Sequence, residues 1–259
     1  MIITLAHVLT YFLILARVLG LMLYAPIFSN KNLFSMSKIP IVFWLPMLLL
    51  FLVPLSPQMP DTSVAYVLAL CLELLIGALI GFTTDLMITG IEMAGSLMDT
   101  QAGLSVAALL NPSTGRQITL FSYMLRWISV MIFFIIDGHH IVLAAINQSF
   151  RVLPVAAPFN LHEGALFVVK QGSYLFYLAV QLAAPILLVV FIVDFGFGML
   201  NKVAEQVNVF QLGFQLKPSV SLIVFLAIVP GFNSSILRVL KQITEIILKL
   251  LYTFQINYG

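Results

Sequence analysis

Residues Val64–Thr84 read VAYVLALCLELLIGALIGFTT, an apolar run whose one charge is Glu73. About 20 consecutive apolar residues are what a helix needs to cross the hydrocarbon core of a bilayer. In such surroundings the backbone must satisfy its own hydrogen bonds, which leaves a helix or a closed barrel. The run has no polar–apolar alternation, so a barrel strand is excluded and a helix is expected. Glu73, Gly77 and Gly81 follow at four-residue spacing and drift slowly around one helix face. Gly77-Ala-Leu-Ile-Gly81 is a GxxxG, which lets another helix backbone come close. Close helix packing is the reading preferred over a substrate path on this face.

Working outward, six more apolar stretches appear: Ile2–Phe28, Ile39–Leu55, Ile118–Ile136, Ala165–Val193, Val220–Val229 and Ile236–Phe254. All but Val220–Val229 approach spanning length. The chain of 259 residues is 61% hydrophobic and 8% charged, with a mean hydropathy of +1.10. Soluble domains carry about 25% charged residues, so lipid or partner protein must cover most of this surface. The expected fold is all-α, a polytopic set of hydrophobic helices with kinked and broken hairpins, in one domain over residues 1–259. Ser29–Lys38, Ser56–Ser63, Asn111–Gln117, Asp137–His140, Pro154–Glu163 and Asn201–Pro218 read as connections from their polar, Pro and Gly content. Pro185 is expected to kink its helix, and Pro230-Gly231 to break the last apolar region in two. Met1–Phe28 lacks a basic n-region and a small-residue cleavage site, so it reads as a retained helix. Lys31, Lys38, Lys202 and Lys217 give only a slight orientation bias.

A net charge of +2, with scattered basic residues, gives no footprint for nucleic acid. The single cysteine, Cys71, excludes an intrachain disulfide and a cysteine-only metal site and reads as a small buried hydrophobe. Arg17, Glu73, Asp85, Glu92, Asp99 and Arg126 lie in or beside the apolar runs. A charge at bilayer depth costs roughly 2.5–3.5 kcal/mol, so each must face a partner or water. Buried pairing is preferred over an ion pathway. In Gly90–Gly103 (GIEMAGSLMDTQAG), Glu92 and Asp99 are seven residues apart, about two turns, and share a face. That face suits gate lining or subunit packing, together with Gly95, Gln101 and Gly103. Asp137-Gly138-His139-His140 invites a metal reading. It is set aside because adjacent histidines on a helix point apart and no spaced Cys/His partner exists. Gly196-x-Gly198 lacks a third glycine, and no nucleophile elbow or P-loop is present. No catalytic, cofactor or metal residue is assigned, and an enzyme is not expected.

Several segments, in order, resemble the FliR family of flagellar type III export gates. They are Arg17, Gly20 and Ala25-Pro26-Ile27-Phe28, then Glu73 to Gly81, then Gly95, Asp99, Gln101, Gly103, Asn111 and Pro112. Asp137-Gly138-His139-His140 with Ser149-Phe150 and Leu153-Pro154 is the most specific stretch. Ala184-Pro185, Gly196 and Gln206-Val207-Asn208-Val209-Phe210 complete the set. The sequence departs at Glu205, where the family carries proline.

The resemblance implies a FliP-like part followed by a FliQ-like helix pair, in the bacterial inner membrane at the flagellar basal body. It implies FliP-like and FliQ-like subunits and an FlhB-like switch protein as partners, with unfolded flagellar proteins as cargo. A plug loop falls on Ser105–Gln117, including Val106, Leu109, Leu110, Asn111, Pro112 and Gly115. The late polar motif is Gln206, Asn208 and Phe210. The injectisome counterpart is the near alternative. A stand-alone secondary transporter is the other, and it lacks the inverted repeat that class carries.

Overall fold

The computed structural model describes residues 5–26, 35–53, 60, 62–105, 119–157, 161–204, 206 and 208–254. Among these are eight helices and no strand. They are α1 (Leu5–Tyr24), α2 (Ser35–Leu50), α3 (Ser63–Gln101), α4 (Leu120–Ile135), α5 (Gly138–Val152), α6 (Leu161–Val203), α7 (Val209–Lys241) and α8 (Ile243–Phe254). The all-α, polytopic expectation holds. Four stretches are long and apolar enough to cross a membrane: Leu5–Tyr24, Ser63–Gln101, His162–Val203 and Gln211–Phe254. The α4–α5 pair makes a fifth if counted as one broken span.

The residues fall into two compact units that the chain visits alternately. The first comprises Met1–Met87, Phe134–Gly172 and Lys241–Gly259, and the second Ile88–Phe133 and Ser173–Leu240. In the first, α1 and α3 meet through glycine. A Cβ on Gly77 would collide with the Arg17 carbonyl, one on Gly81 with the Leu21 carbonyl, and one on Gly20 with the Leu74 carbonyl. The GxxxG face therefore serves close packing within the chain. The stripe Ile243, Ile246, Ile247, Leu250, Leu251 and Phe254 repeats at helical spacing and is the buried face of α8. Phe254 lies against Gly164, where any side chain would meet its ring. In the second unit, Ile91, Ala94 and Met98 of α3, Phe121 and Leu125 of α4, and Ala183 and Ile186 of α6 are buried. Phe121 and Phe225 bring their rings to 4.8 Å.

Three expectations are corrected. The third apolar stretch does not end near Thr84, because α3 runs on to Gln101. Pro230-Gly231 does not divide the last region, because α7 passes through Pro218 and Pro230 and the interruption falls at Gln242. Asn201–Pro218 is not one long connection. α6 ends at Val203 and α7 starts at Val209, leaving a short link. The cause is common to the last two. A proline removes one backbone hydrogen bond, whereas ending a helix orphans several donors and acceptors, which apolar surroundings penalise more. Pro185 is likewise inside the continuous α6. Cys71, expected to be buried, is exposed instead, on a face of α3 that the described residues of this chain do not cover.

Candidate functional site

Two clusters of buried polar groups, one in each unit, hold the helices at named points. In the first unit Arg17 of α1 is fully buried. Its Nε donates to Glu73 Oε2 at 2.5 Å, and its Nη1 donates to Ser149 Oγ at 3.1 Å and to the Leu153 carbonyl at 3.0 Å. The Phe150 ring lies 4.2 Å from the guanidinium carbon, in cation–π range. The second oxygen of Glu73 accepts the Ala156 backbone N–H at 3.0 Å. Ala156 has φ 61, a left-handed conformation unusual for a residue with a side chain. Arg17 thus fastens α1 to α3 and to the end of α5. The Ser149-Phe150 and Leu153-Pro154 pattern gains a physical basis, since three of its four residues face the guanidinium.

In the second unit the fully buried Asp99, near the end of α3, caps α4. Its Oδ1 accepts the Phe121 N–H at 3.0 Å. Its Oδ2 accepts the Ser122 N–H at 3.0 Å, the Ser122 hydroxyl at 3.1 Å and the Thr119 hydroxyl. Phe121 and Ser122 are among the first-turn donors that lack a partner inside a helix. A carboxylate there also meets the favourable end of the helix dipole. Two turns back along α3, Glu92 pairs with Arg126 of α4. Between them Gly95 allows backbone contact, since a Cβ there would stand 2.5 Å from Ser122. Glu92 and Asp99 do share a face, and that face meets α4.

The end of α3 opens onto a cavity of about 430 Å³ lined by Thr100, Gln101, Ala102 and Gly103, with Asp194, Phe197, Gly213, Phe214 and Lys217. Lys217 Nζ and Asp194 Oδ1 form an ion pair there at 2.5 Å. Gly103 has φ 79, a conformation glycine takes without strain, and turns the chain out of α3. Val106, Leu109, Leu110, Asn111, Pro112 and Gly115 lie outside the described residues, as does Glu205. The described residues run to Ser105, six positions after Asp99, and resume at Thr119, which bonds to Asp99.

Asp137 forms the turn between α4 and α5 with φ 55, and Gly138, His139 and His140 begin α5. The expected tight connection is therefore shorter, with the histidines in the first helical turn. Asn208 accepts the Gln211 N–H on its side-chain oxygen at 3.2 Å, capping α7. Gln206 is exposed in the preceding turn, and Phe210 lies in the first turn of α7. Sequence reasoning named Arg17, Glu73, Glu92, Asp99 and Arg126 but not which of them pair. It missed Thr119, Ser122, Asp194 and the carbonyl of Leu153. Only Thr119, the hydroxyl just ahead of an apolar helix, carried a local signal.

A family model, that of the bacterial export proteins, family 1, matches residues 8–243. The flagellar biosynthetic protein FliR of Bacillus subtilis (strain 168) is 28% identical over 219 residues, covering 83% of this chain and 84% of the relative. That of Pectobacterium carotovorum is 29% identical with the same coverage. The Yop proteins translocation protein T of Yersinia pestis is 29% identical over 216 residues, covering 82% and 83%.

Proposed function

Since the chain belongs to the bacterial export proteins of family 1, we propose that it is a subunit of a flagellar type III export gate. In this reading it joins FliP-like and FliQ-like subunits and an FlhB-like switch protein in the bacterial inner membrane, at the basal body. Together they form a gated pore for unfolded flagellar proteins. The chain supplies structure and performs no bond chemistry. The observation that carries the reading is the Asp99 clamp. One buried carboxylate holds the first turn of α4 against the end of α3. Asp99 and Thr119, which flank the segment 105–117 in the sequence, are partners in that clamp, which supports a plug that leaves and re-enters at one place. Val106 to Leu110 are apolar and suit a narrow, dry pore. The need for partners is supported by the span windows, of which the chain's own residues bury only 22–50%.

The test is deletion of Leu104–Leu110 in a co-expressed complex, with complex yield and membrane conductance measured together. The expected result is an assembled gate that leaks small ions. An assembled gate with no added leak overturns the plug. Stable accumulation of the chain alone in detergent, without the partner subunits, overturns the gate-subunit reading. The Yersinia relative favours a second reading, an injectisome gate. Rescue of an injectisome-gate null strain and not of a flagellar null strain would select it.

A further inference from the structure

The turn at Asp137–His140 contains a group of side chains that the gate reading leaves unused. Asp137, His139 and His140 each offer one ligand atom, and these atoms all lie within 4.8 Å of one another. The His140 Nδ1 stands 3.9 Å from Asp137 Oδ1. The two imidazole rings, expected to diverge, have centroids only 4.2 Å apart. A helix period fixes where the Cα–Cβ bonds point, but the side-chain torsions then carry the rings together. Two observations set this group apart from an ordinary polar turn. His139 Nδ1 is buried without a hydrogen-bond partner. Asp137, at the N-cap position of α5, makes no side-chain capping bond. Its carboxylate is not engaged in the task that Asp usually performs there.

We propose that Asp137, His139 and His140 form a binding site for a divalent transition metal, with zinc the best-suited ion. Two imidazoles and one carboxylate are a ligand set that suits zinc and its neighbours and that calcium and magnesium disfavour. Three protein ligands plus water complete a tetrahedral shell. Zinc–ligand bonds of about 2.0–2.2 Å require ligand atoms roughly 3.3 Å apart, so separations of up to 4.8 Å must close through side-chain torsions. Asp137 and His140 are exposed and free to make them. A cation at a helix N-terminus meets the unfavourable end of the dipole. The negative charge of Asp137 offsets this. The bound ion would fasten the turn that starts α5, the helix whose other end holds Arg17.

The test uses the full chain, purified in its complex with a tag free of histidine and stripped of metal. Cobalt(II) is titrated as a spectroscopic probe at pH 7.5, then displaced by zinc. The expected result is one cobalt per chain with the intense visible bands of tetrahedral coordination, displaced by equimolar zinc. His140→Gln and Asp137→Asn should each weaken cobalt binding by at least ten-fold. Both side chains are exposed, so these variants remove a ligand without opening the core. His139→Gln should do the same, and complex yield monitors its folding. Failure of the unaltered complex to bind cobalt or zinc stoichiometrically overturns the site. So does wild-type affinity in the His140→Gln variant. Neither result touches the export-gate reading, which is tested by conductance.

Discussion

Arg17 and Asp99 are both fully buried charges in apolar helices, yet they are held by different means. Arg17 meets an opposite charge on Glu73 and a hydroxyl, an aromatic ring and a carbonyl from residues 149–153, while its Nη2 is buried without a hydrogen-bond partner. Asp99 forms no ion pair among the described residues. It is held by two hydroxyls and two backbone N–H groups, all within four residues of one another. The first arrangement makes each partner dependent on the other, because removing one leaves a charge stranded. The second draws on a helix N-terminus that exists whenever α4 folds. A buried ion pair therefore acts as a lock between distant segments, and a buried cap acts as a local joint at the base of one segment.

The comparison can be broken most forcefully at the lock. Arg17→Met or Glu73→Leu alone should destabilise by about 3–5 kcal/mol, the usual effect of leaving one buried charge unpaired. The double variant should recover a large part of that loss, since apolar replacements of similar volume are tolerated where ion pairs are buried. Thermal midpoints of the detergent-solubilised complex give the cycle. If the two single losses simply add in the double variant, the residues are not acting as a pair.

The joint should respond less. Asp99→Ala leaves the Phe121 and Ser122 N–H groups without acceptors and should cost about 1–3 kcal/mol. Asp99→Asn keeps an oxygen for one of them and should fall between alanine and wild type. Equal midpoints for Asp99→Asn and Asp99→Ala would show that the carboxylate's geometry, rather than its acceptors, is what matters. The smallest effect belongs to Asp194 and Lys217, which face the cavity and are partly exposed. Asp194→Asn should change stability by roughly 0–1 kcal/mol, as partly hydrated pairs do. A midpoint drop as large as that of Asp99→Ala would place this pair with the clamps.

Much of the fold was legible because bilayer chemistry permits so few structures. Long apolar runs must be helices, and the GxxxG at Gly77 and Gly81 announced a close approach before its partner was known. Element boundaries were less legible. Gly90–Gly103 was recognised as helical in length but not as the continuation of Val64–Thr84, since its polar residues mimic a connection. They are polar because they grip α4.

Amino-acid order alone therefore determined the class of the protein, the charges that had to be accounted for and the residues free of side-chain bulk. Only the tertiary structure decided what answers those charges. Glu73 is 56 residues from Arg17, Ser149 is 132 away and Leu153 is 136 away. Helical periodicity says which face a residue occupies, and it says nothing about which other helix that face meets. The same limit applies to Asp137, His139 and His140, whose ligand atoms are gathered by side-chain torsions that no spacing rule encodes. It applies as well to Pro218 and Pro230, which remain inside α7 because apolar surroundings penalise an opened helix more than one missing hydrogen bond.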